Sequence, residues 1–118
     1  MKLRTGLVAV GLAAVLGAPV FGAEMTLKGE IVSQMCYLED SSHHGETHKE
    51  CSIECATNGE ALALLAEDGT LYEITGQLAA ENNAKLIPHV SHIVELTGEV
   101  TEQGGKKSIA AAKLAMAK

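Results

Sequence analysis

All three cysteines of the 118-residue chain, and three of its five histidines, lie between residues 36 and 55. Thiolates and imidazoles are the ligands that Zn²⁺ and Cu(I) prefer in proteins. His48, Cys51 and Cys55 follow one another at intervals of three and four residues, which places them on one face of a helix. With Cys36 arriving from upstream, the stretch predicts a metal site formed by Cys36, His48, Cys51 and Cys55.

The helix that would carry three of these ligands has sequence signals at both ends. Thr47 and Glu50 have the spacing of a capping box, in which a hydroxyl and a carboxylate cap the first turn. Asn58 and Gly59 form a helix stop. We therefore expect a helix over about residues 48–58.

Two features of the cysteines follow from this arrangement. Cys51 lies near the expected start of the helix, where the helix dipole should favour its thiolate. Cys36 lies outside the helix, and a loop would have to fold it back toward the cluster.

Disulfide formation is the alternative to a metal site. A bond from Cys36 to Cys51 or Cys55 would pin the helix to the first strand and stabilise the protein by about 3 kcal/mol in the chain-entropy model. A bond between Cys51 and Cys55 is disfavoured, because a regular helical turn holds their Cβ atoms too far apart. One cysteine is left over in either pairing. His48 has no role in a disulfide, and this favours the metal site.

The sequence lacks the usual signals of catalysis. It has neither the Cys-x-x-Cys motif of thiol redox enzymes nor the Cys-x-x-Cys-His motif of haem attachment. Ser42 and His43 are adjacent in a polar loop, a spacing that does not by itself orient a nucleophile. His43 and His44, with Asp40 and Glu46, could catch a divalent ion, although a solvated loop is the favoured interpretation. We therefore expect a protein that is not an enzyme.

The first 22 residues have the composition of a signal peptide. Lys2 and Arg4 precede an apolar run over residues 7–16, and small residues follow before position 23. The run is too short for a comfortable membrane span. We expect a periplasmic or secreted protein whose mature part, residues 23–118, is one domain with no membrane attachment.

The charge of the mature part excludes some partners. The predicted signal peptide holds two of the nine basic residues and none of the fifteen acidic ones, which leaves a net charge of minus eight. Such a charge repels nucleic acid and favours cations or basic proteins. Tyr37 and Tyr72 are the only mature aromatic residues, too few for stacking bases. A metal ion or a protein partner is therefore expected, and nucleic acid is not.

Alternating apolar residues predict a mainly β domain. Strand patterns cover residues 25–32, 60–74, 93–101 and 108–116, and Asp68-Gly69 divides the second range into a hairpin. Gly29 and Gly98 interrupt two strands and indicate a bulge or a bend. Residues 78–84 are expected to be helical, and His89 and His92 to form a solvated pair. We predict a five-stranded Greek-key barrel of the OB type, with short helices and the cysteine-bearing helix inserted after the first strand.

Several of these segments resemble a group of small exported bacterial proteins. The resembling segments are Gly29-Glu30-Ile31-Val32 before Cys36-Tyr37, His48-Lys49 with Cys51 and Cys55-Ala56, Asp68-Gly69, and residues 94–100 before a Gly-Gly turn. Members of the group are generally uncharacterised and share a Cys…His-x-x-Cys-x-x-x-Cys cluster. The resemblance implies an OB-like fold and an exported location, and it implies no function.

Two functional hypotheses follow. The first is an exported, non-enzymatic protein that binds copper or zinc through Cys36, His48, Cys51 and Cys55. The second is a disulfide-stabilised OB-like interaction module that binds an unknown partner without metal.

Overall fold

The computed structural model of the protein describes residues 23–117, and the predicted signal peptide lies outside them. The strands are β1 (Glu24–Ser33), β2 (Leu62–Ala66), β3 (Leu71–Thr75), β4 (Ile93–Gln103) and β5 (Lys106–Met116). The helices are α1 (Gln34–Glu39), α2 (Lys49–Thr57) and α3 (Ala80–Asn83), with single 3₁₀ turns at Glu46–His48, Gln77–Ala79 and Ile87–His89. Within this part of the chain no helix is long and apolar enough to cross a membrane.

The five strands form one mixed sheet that closes on itself. Its strand order is β1-β2-β3-β5-β4, and β4 pairs back with β1. Strands β3 and β5 are parallel, and the other four pairs are antiparallel. Asp68 and Gly69 turn the β2–β3 hairpin, where Gly69 has a φ of 87° that suits glycine. The prediction of a mainly β chain with five strands and short helices is confirmed.

The interior of the sheet is filled by aliphatic side chains. The fully buried ones include Ile31, Leu62, Leu64, Val94, Leu96 and Ile109. Leu86 and Val90, from the connection between β3 and β4, join the same cluster. Ala56 also joins it and is completely buried, so it brings α2 against the sheet. The helix that carries two of the cysteines is therefore anchored to the core through a small residue.

Gly29 and Gly98 lie where two strands approach closely. A register shift separates Thr97 from Gly98 in the β4–β5 pair, which confirms the predicted irregularity there. A Cβ atom at Gly98 would overlap the backbone of Ala110. Gly29 shows no register shift, and a Cβ atom there would overlap the backbone of Leu65. Close approach of a neighbouring strand, and not a bulge, is the reason for glycine at position 29.

Candidate metal centre

Cys36 lies on a helix that the sequence analysis did not predict. Helix α1 begins directly after β1, and Ser33 at their junction accepts a hydrogen bond on Oγ from the backbone N–H of Cys36 (3.4 Å). The backbone N–H of Gln34 donates to the carbonyl of Ala61 (3.1 Å), which ties the start of α1 to β2. The segment that was expected to be a loop is thus a short capped helix. Ser33 marks its start in the sequence, because serine is a preferred N-cap residue.

Helix α2 begins one residue later than predicted, and its start has a different geometry. A 3₁₀ turn over Glu46–His48 runs into the helix, so that His48 is the N-cap residue and makes no side-chain capping bond. The predicted capping box of Thr47 and Glu50 does not form, because Thr47 is itself inside the 3₁₀ turn.

The C-terminal end of α2 is the predicted one. Gly59 has a φ of 94°, and the backbone N–H of Glu60 donates to the carbonyl of Cys55 (3.1 Å). This is the bonding pattern of a Schellman-type stop, which satisfies carbonyls at the end of the helix. This hydrogen bond fixes the backbone of Cys55, which is one of the predicted metal ligands.

A buried side chain from the β3–β4 connection holds the same end of α2. Asn83 is 4 % exposed, and its Nδ2 donates to the carbonyls of Ala56 (3.1 Å) and Glu60 (3.0 Å). Asn83 also has a φ of 64°, a conformation that asparagine tolerates better than most residues. The side chain of Asn83 therefore links the end of α2 and the following residue Glu60 to the β3–β4 connection.

We expect Asn83→Ala to lower the free energy of unfolding by roughly 2–3 kcal/mol, because one buried and one partly buried carbonyl lose their donor. Urea denaturation followed by circular dichroism measures this change. Asn82→Ala is the matched control, since Asn82 is exposed and has a similar φ of 54°. Equal losses in the two variants would show that backbone conformation, and not the hydrogen bonds of Asn83, sets the cost.

The two helices bring the three cysteines together. The sulfur atoms of Cys36, Cys51 and Cys55 all lie within 4.8 Å of one another. Among residues 23–117 these three side chains form the one group of three or more cysteine, histidine or acidic residues that is compact enough to hold a metal ion. The predicted convergence of a cysteine from the end of β1 with two cysteines of α2 is therefore confirmed.

The cysteines are free thiols, and the predicted disulfide is not formed. The three cysteine pairs are 4.1–4.2 Å apart, whereas a disulfide requires an S–S distance of about 2.0 Å. The three distances are nearly equal, so no pair is closer to bonding than the others. The structure therefore does not support the hypothesis of a disulfide-stabilised module.

The size of this triangle suits a metal ion. An ion at the centre of an equilateral triangle with edges of 4.1–4.2 Å lies about 2.4 Å from each corner, close to the Zn–S distance of about 2.3 Å. The sulfurs would have to move by only a few tenths of an ångström to bind such an ion. Two of them are half-buried and Cys51 is exposed, so the cluster is open to solvent on one side.

The thiols of α2 hold their protons more tightly than ordinary cysteines. The nearby charge of Cys36 is the largest cause that raises the pKa of Cys51, and a hydrogen bond to Cys36 adds to it. Burial, followed by the charge of Cys36, raises the pKa of Cys55 to about 11. The pKa of Cys51 is therefore raised, whereas its position near the start of the helix predicts a favoured thiolate; the charge of Cys36 is the main cause of the difference. A bound cation would remove this repulsion.

This electrostatic arrangement predicts strongly pH-dependent metal binding. Because both pKa values are raised, Cys51 and Cys55 are protonated at neutral pH, and an ion must displace at least two protons. We expect the affinity for Zn²⁺ to fall by at least about a hundredfold for each unit of decreasing pH between 8 and 6, because each displaced proton contributes tenfold. Calorimetry in buffers of different ionisation enthalpy counts the released protons, and release of fewer than two protons would contradict the assignment.

His48 lies outside the group of three sulfurs. Its ring is next to that of His43, with the ring centroids 4.5 Å apart and the ring planes tilted by 51°. His48 is half-buried at the junction of the 3₁₀ turn and α2. The prediction that it is the fourth ligand stays a prediction.

Of the remaining histidines, His44 is exposed and the other two are half-buried. His44 places Nδ1 3.4 Å from the carboxylate of Glu30 and packs edge-on against Tyr37. His89 and His92 are half-buried, with their ring centroids 6.2 Å apart and both Nδ1 atoms shielded from solvent. The expected solvated pair is thus a packed one.

Comparisons with models of protein families, with curated proteins and with solved structures found no match to this chain. The function that we assign therefore rests on the geometry of the residues themselves, above all on the triangle of Cys36, Cys51 and Cys55.

Proposed function

We propose that the protein binds a thiophilic metal ion, Zn²⁺ or Cu(I), through the thiolates of Cys36, Cys51 and Cys55. The observation that carries the proposal is the near-equilateral triangle of sulfurs, with edges of 4.1–4.2 Å. Soft thiolate ligands select these two ions over Mg²⁺ or Ca²⁺. His48 remains a candidate for a fourth ligand, which Zn²⁺ would take in a closed tetrahedral site.

Binding, and not catalysis, is the activity that we propose. The cysteines that would act as nucleophiles have raised pKa values, at Cys51 chiefly through the charge of Cys36 and at Cys55 chiefly through burial. A reactive cysteine instead requires a lowered pKa, because the thiolate is the attacking species. The proposed role is therefore to hold, store or pass on an ion.

We propose further that the fold is of the OB type and that the protein is exported. The strand order β1-β2-β3-β5-β4, the parallel β3–β5 pair and the helical connection before β4 support an OB-type barrel. The charged and apolar pattern of residues 1–22 supports export to the periplasm or the medium. In this account the cysteine cluster occupies the insertion between β1 and β2, at one end of the barrel.

Metal analysis of protein isolated under reducing, chelator-free conditions tests the proposal. We expect close to one zinc or copper ion per chain and thiols that become reactive only after a strong chelator is added. Protein without metal whose three thiols react at once would contradict the proposal. A mass two units below the reduced value would do so as well, since it would indicate a disulfide.

A further inference from the structure

The loop between α1 and α2, residues 40–48, has more internal structure than its polar sequence indicates. Gly45 donates its backbone N–H to the carboxylate of Glu30, and its carbonyl accepts a hydrogen bond from Oγ of Ser91 (3.0 Å). Asp40 accepts hydrogen bonds from the backbone N–H (3.0 Å) and the hydroxyl (2.8 Å) of Ser42. We call this segment the histidine loop, because it carries His43, His44 and His48.

His43 is held in the form that can bind a metal. Its Nδ1 lies 3.3 Å from the carbonyl oxygen of Cys36, and a carbonyl can only accept a hydrogen bond. In the neutral imidazole, Nδ1 therefore carries the proton and Nε2 keeps a free lone pair. Histidines that ligate metals usually donate their other ring N–H to a carbonyl or carboxylate in this way.

His48 provides a second imidazole at a suitable distance. The ring centroids of His43 and His48 are 4.5 Å apart. Two imidazoles bound to one ion at nitrogen–metal distances of about 2.0–2.1 Å have centroids roughly 4.5 Å apart when the angle at the ion is about 90°, and roughly 5.2 Å apart when it is about 110°. The tilt of 51° between the rings also differs from a parallel stack.

The histidine loop also carries a carboxylate, that of Asp40. Hydrogen bonds from the backbone and hydroxyl of Ser42 are the main causes that lower the pKa of Asp40, and the charges of His43 and His48 lower it further. The backbone carbonyl of Asp40 also accepts a hydrogen bond from the backbone N–H of His43 (2.9 Å), which joins the acid to one of the two histidines. The histidine pair and this acid lie outside the group of three sulfurs.

We propose that His43 and His48 form a second metal position, separate from the cysteine cluster, which takes a borderline divalent cation such as Zn²⁺ through two imidazole nitrogens. Water would complete the coordination sphere, with Asp40 nearby. This site does not depend on the proposed thiolate site, because it uses none of the sulfurs. In this site His48 binds together with its neighbour His43, which is the alternative to its predicted role as the fourth ligand of the cysteine site.

Titration of the reduced protein with Zn²⁺ alone tests this inference. NMR of ¹⁵N-labelled imidazoles follows all five histidines, and ultraviolet absorption follows thiolate binding. We expect the first equivalent to produce the thiolate signal and the second to shift the ring nitrogens of His43 and His48. His89 and His92 are a matched control pair, because their rings also contact each other at a centroid distance of 6.2 Å.

Two variants separate the possible outcomes. His43→Ala should lose the second equivalent, or bind it at least tenfold more weakly, and keep the thiolate signal, whereas His89→Ala should keep both. The inference is overturned if His43 and His48 do not shift at two equivalents. It is also overturned if His48 shifts with the first equivalent and His48→Ala weakens thiolate binding, since His48 would then be the fourth ligand of the cysteine site. If the rings of His43 and His48 shift and no thiolate signal appears, the second metal position is supported and the proposed function is refuted.

Discussion

Cys55→Ser is expected to lower the affinity for Zn²⁺ or Cd²⁺ by more than about a hundredfold. Loss of a residue that merely orients a ligand typically costs 10–100-fold, so loss of a direct ligand should cost more. A serine hydroxyl does not ionise in the neutral range and cannot replace the thiolate. Competition with a chromophoric chelator measures the affinity, and ultraviolet absorption reports the sulfur–metal charge transfer.

The same variant should retain the stability of the metal-free protein. Cys55 is half-buried and forms no disulfide, and serine replaces its sulfur by a single smaller oxygen atom. We expect a change of less than about 1 kcal/mol in the free energy of unfolding without metal. Thr57→Ala, an exposed change on the same helix, is the control for metal binding. Unchanged affinity in Cys55→Ser would remove Cys55 from the ligand set.

Gly98→Ala is expected to lower the free energy of unfolding by about 3 kcal/mol or more. The new methyl group would overlap the backbone of Ala110 and Ala111 on β5, and a backbone cannot move aside as a flexible side chain can. Moving β5 would also disturb its pairing with β3, which completes the closed sheet. Urea denaturation of the metal-free protein measures the effect.

Glu99→Ala provides the comparison for this substitution. Glu99 is the next residue on β4 and is exposed, so its replacement should change the stability by less than about 0.5 kcal/mol. If the two variants had equal free energies of unfolding, β4 and β5 would not approach each other closely at position 98.

Local sequence rules were sufficient for most of the fold. Alternation of apolar residues located β1 and β4, and the Asp68-Gly69 turn separated β2 from β3 despite the helical propensity of residues 61–66. The helix α1 was missed because it follows β1 without a loop and spans only six residues. Its cap, Ser33, is also the last residue of β1, so one residue serves two elements.

The site was predictable only in part, for a physical reason. The intervals of three and four residues correctly aligned Cys51 and Cys55, because both lie within one regular helix. His48 lies just before that helix, at the end of a 3₁₀ turn, and its role as a ligand stays a prediction. Its neighbour His43 contacts the carbonyl of Cys36, and its loop is held to β1 by the hydrogen bond from Gly45 to Glu30. Spacing along the chain does not reveal these contacts.

X-ray absorption spectroscopy at the zinc edge examines the ligand shell without any assumption about the fold. For reduced protein loaded with one equivalent of Zn²⁺, we predict three sulfur neighbours at about 2.3 Å. A first shell that contained only nitrogen and oxygen neighbours would show that Cys36, Cys51 and Cys55 do not hold the ion.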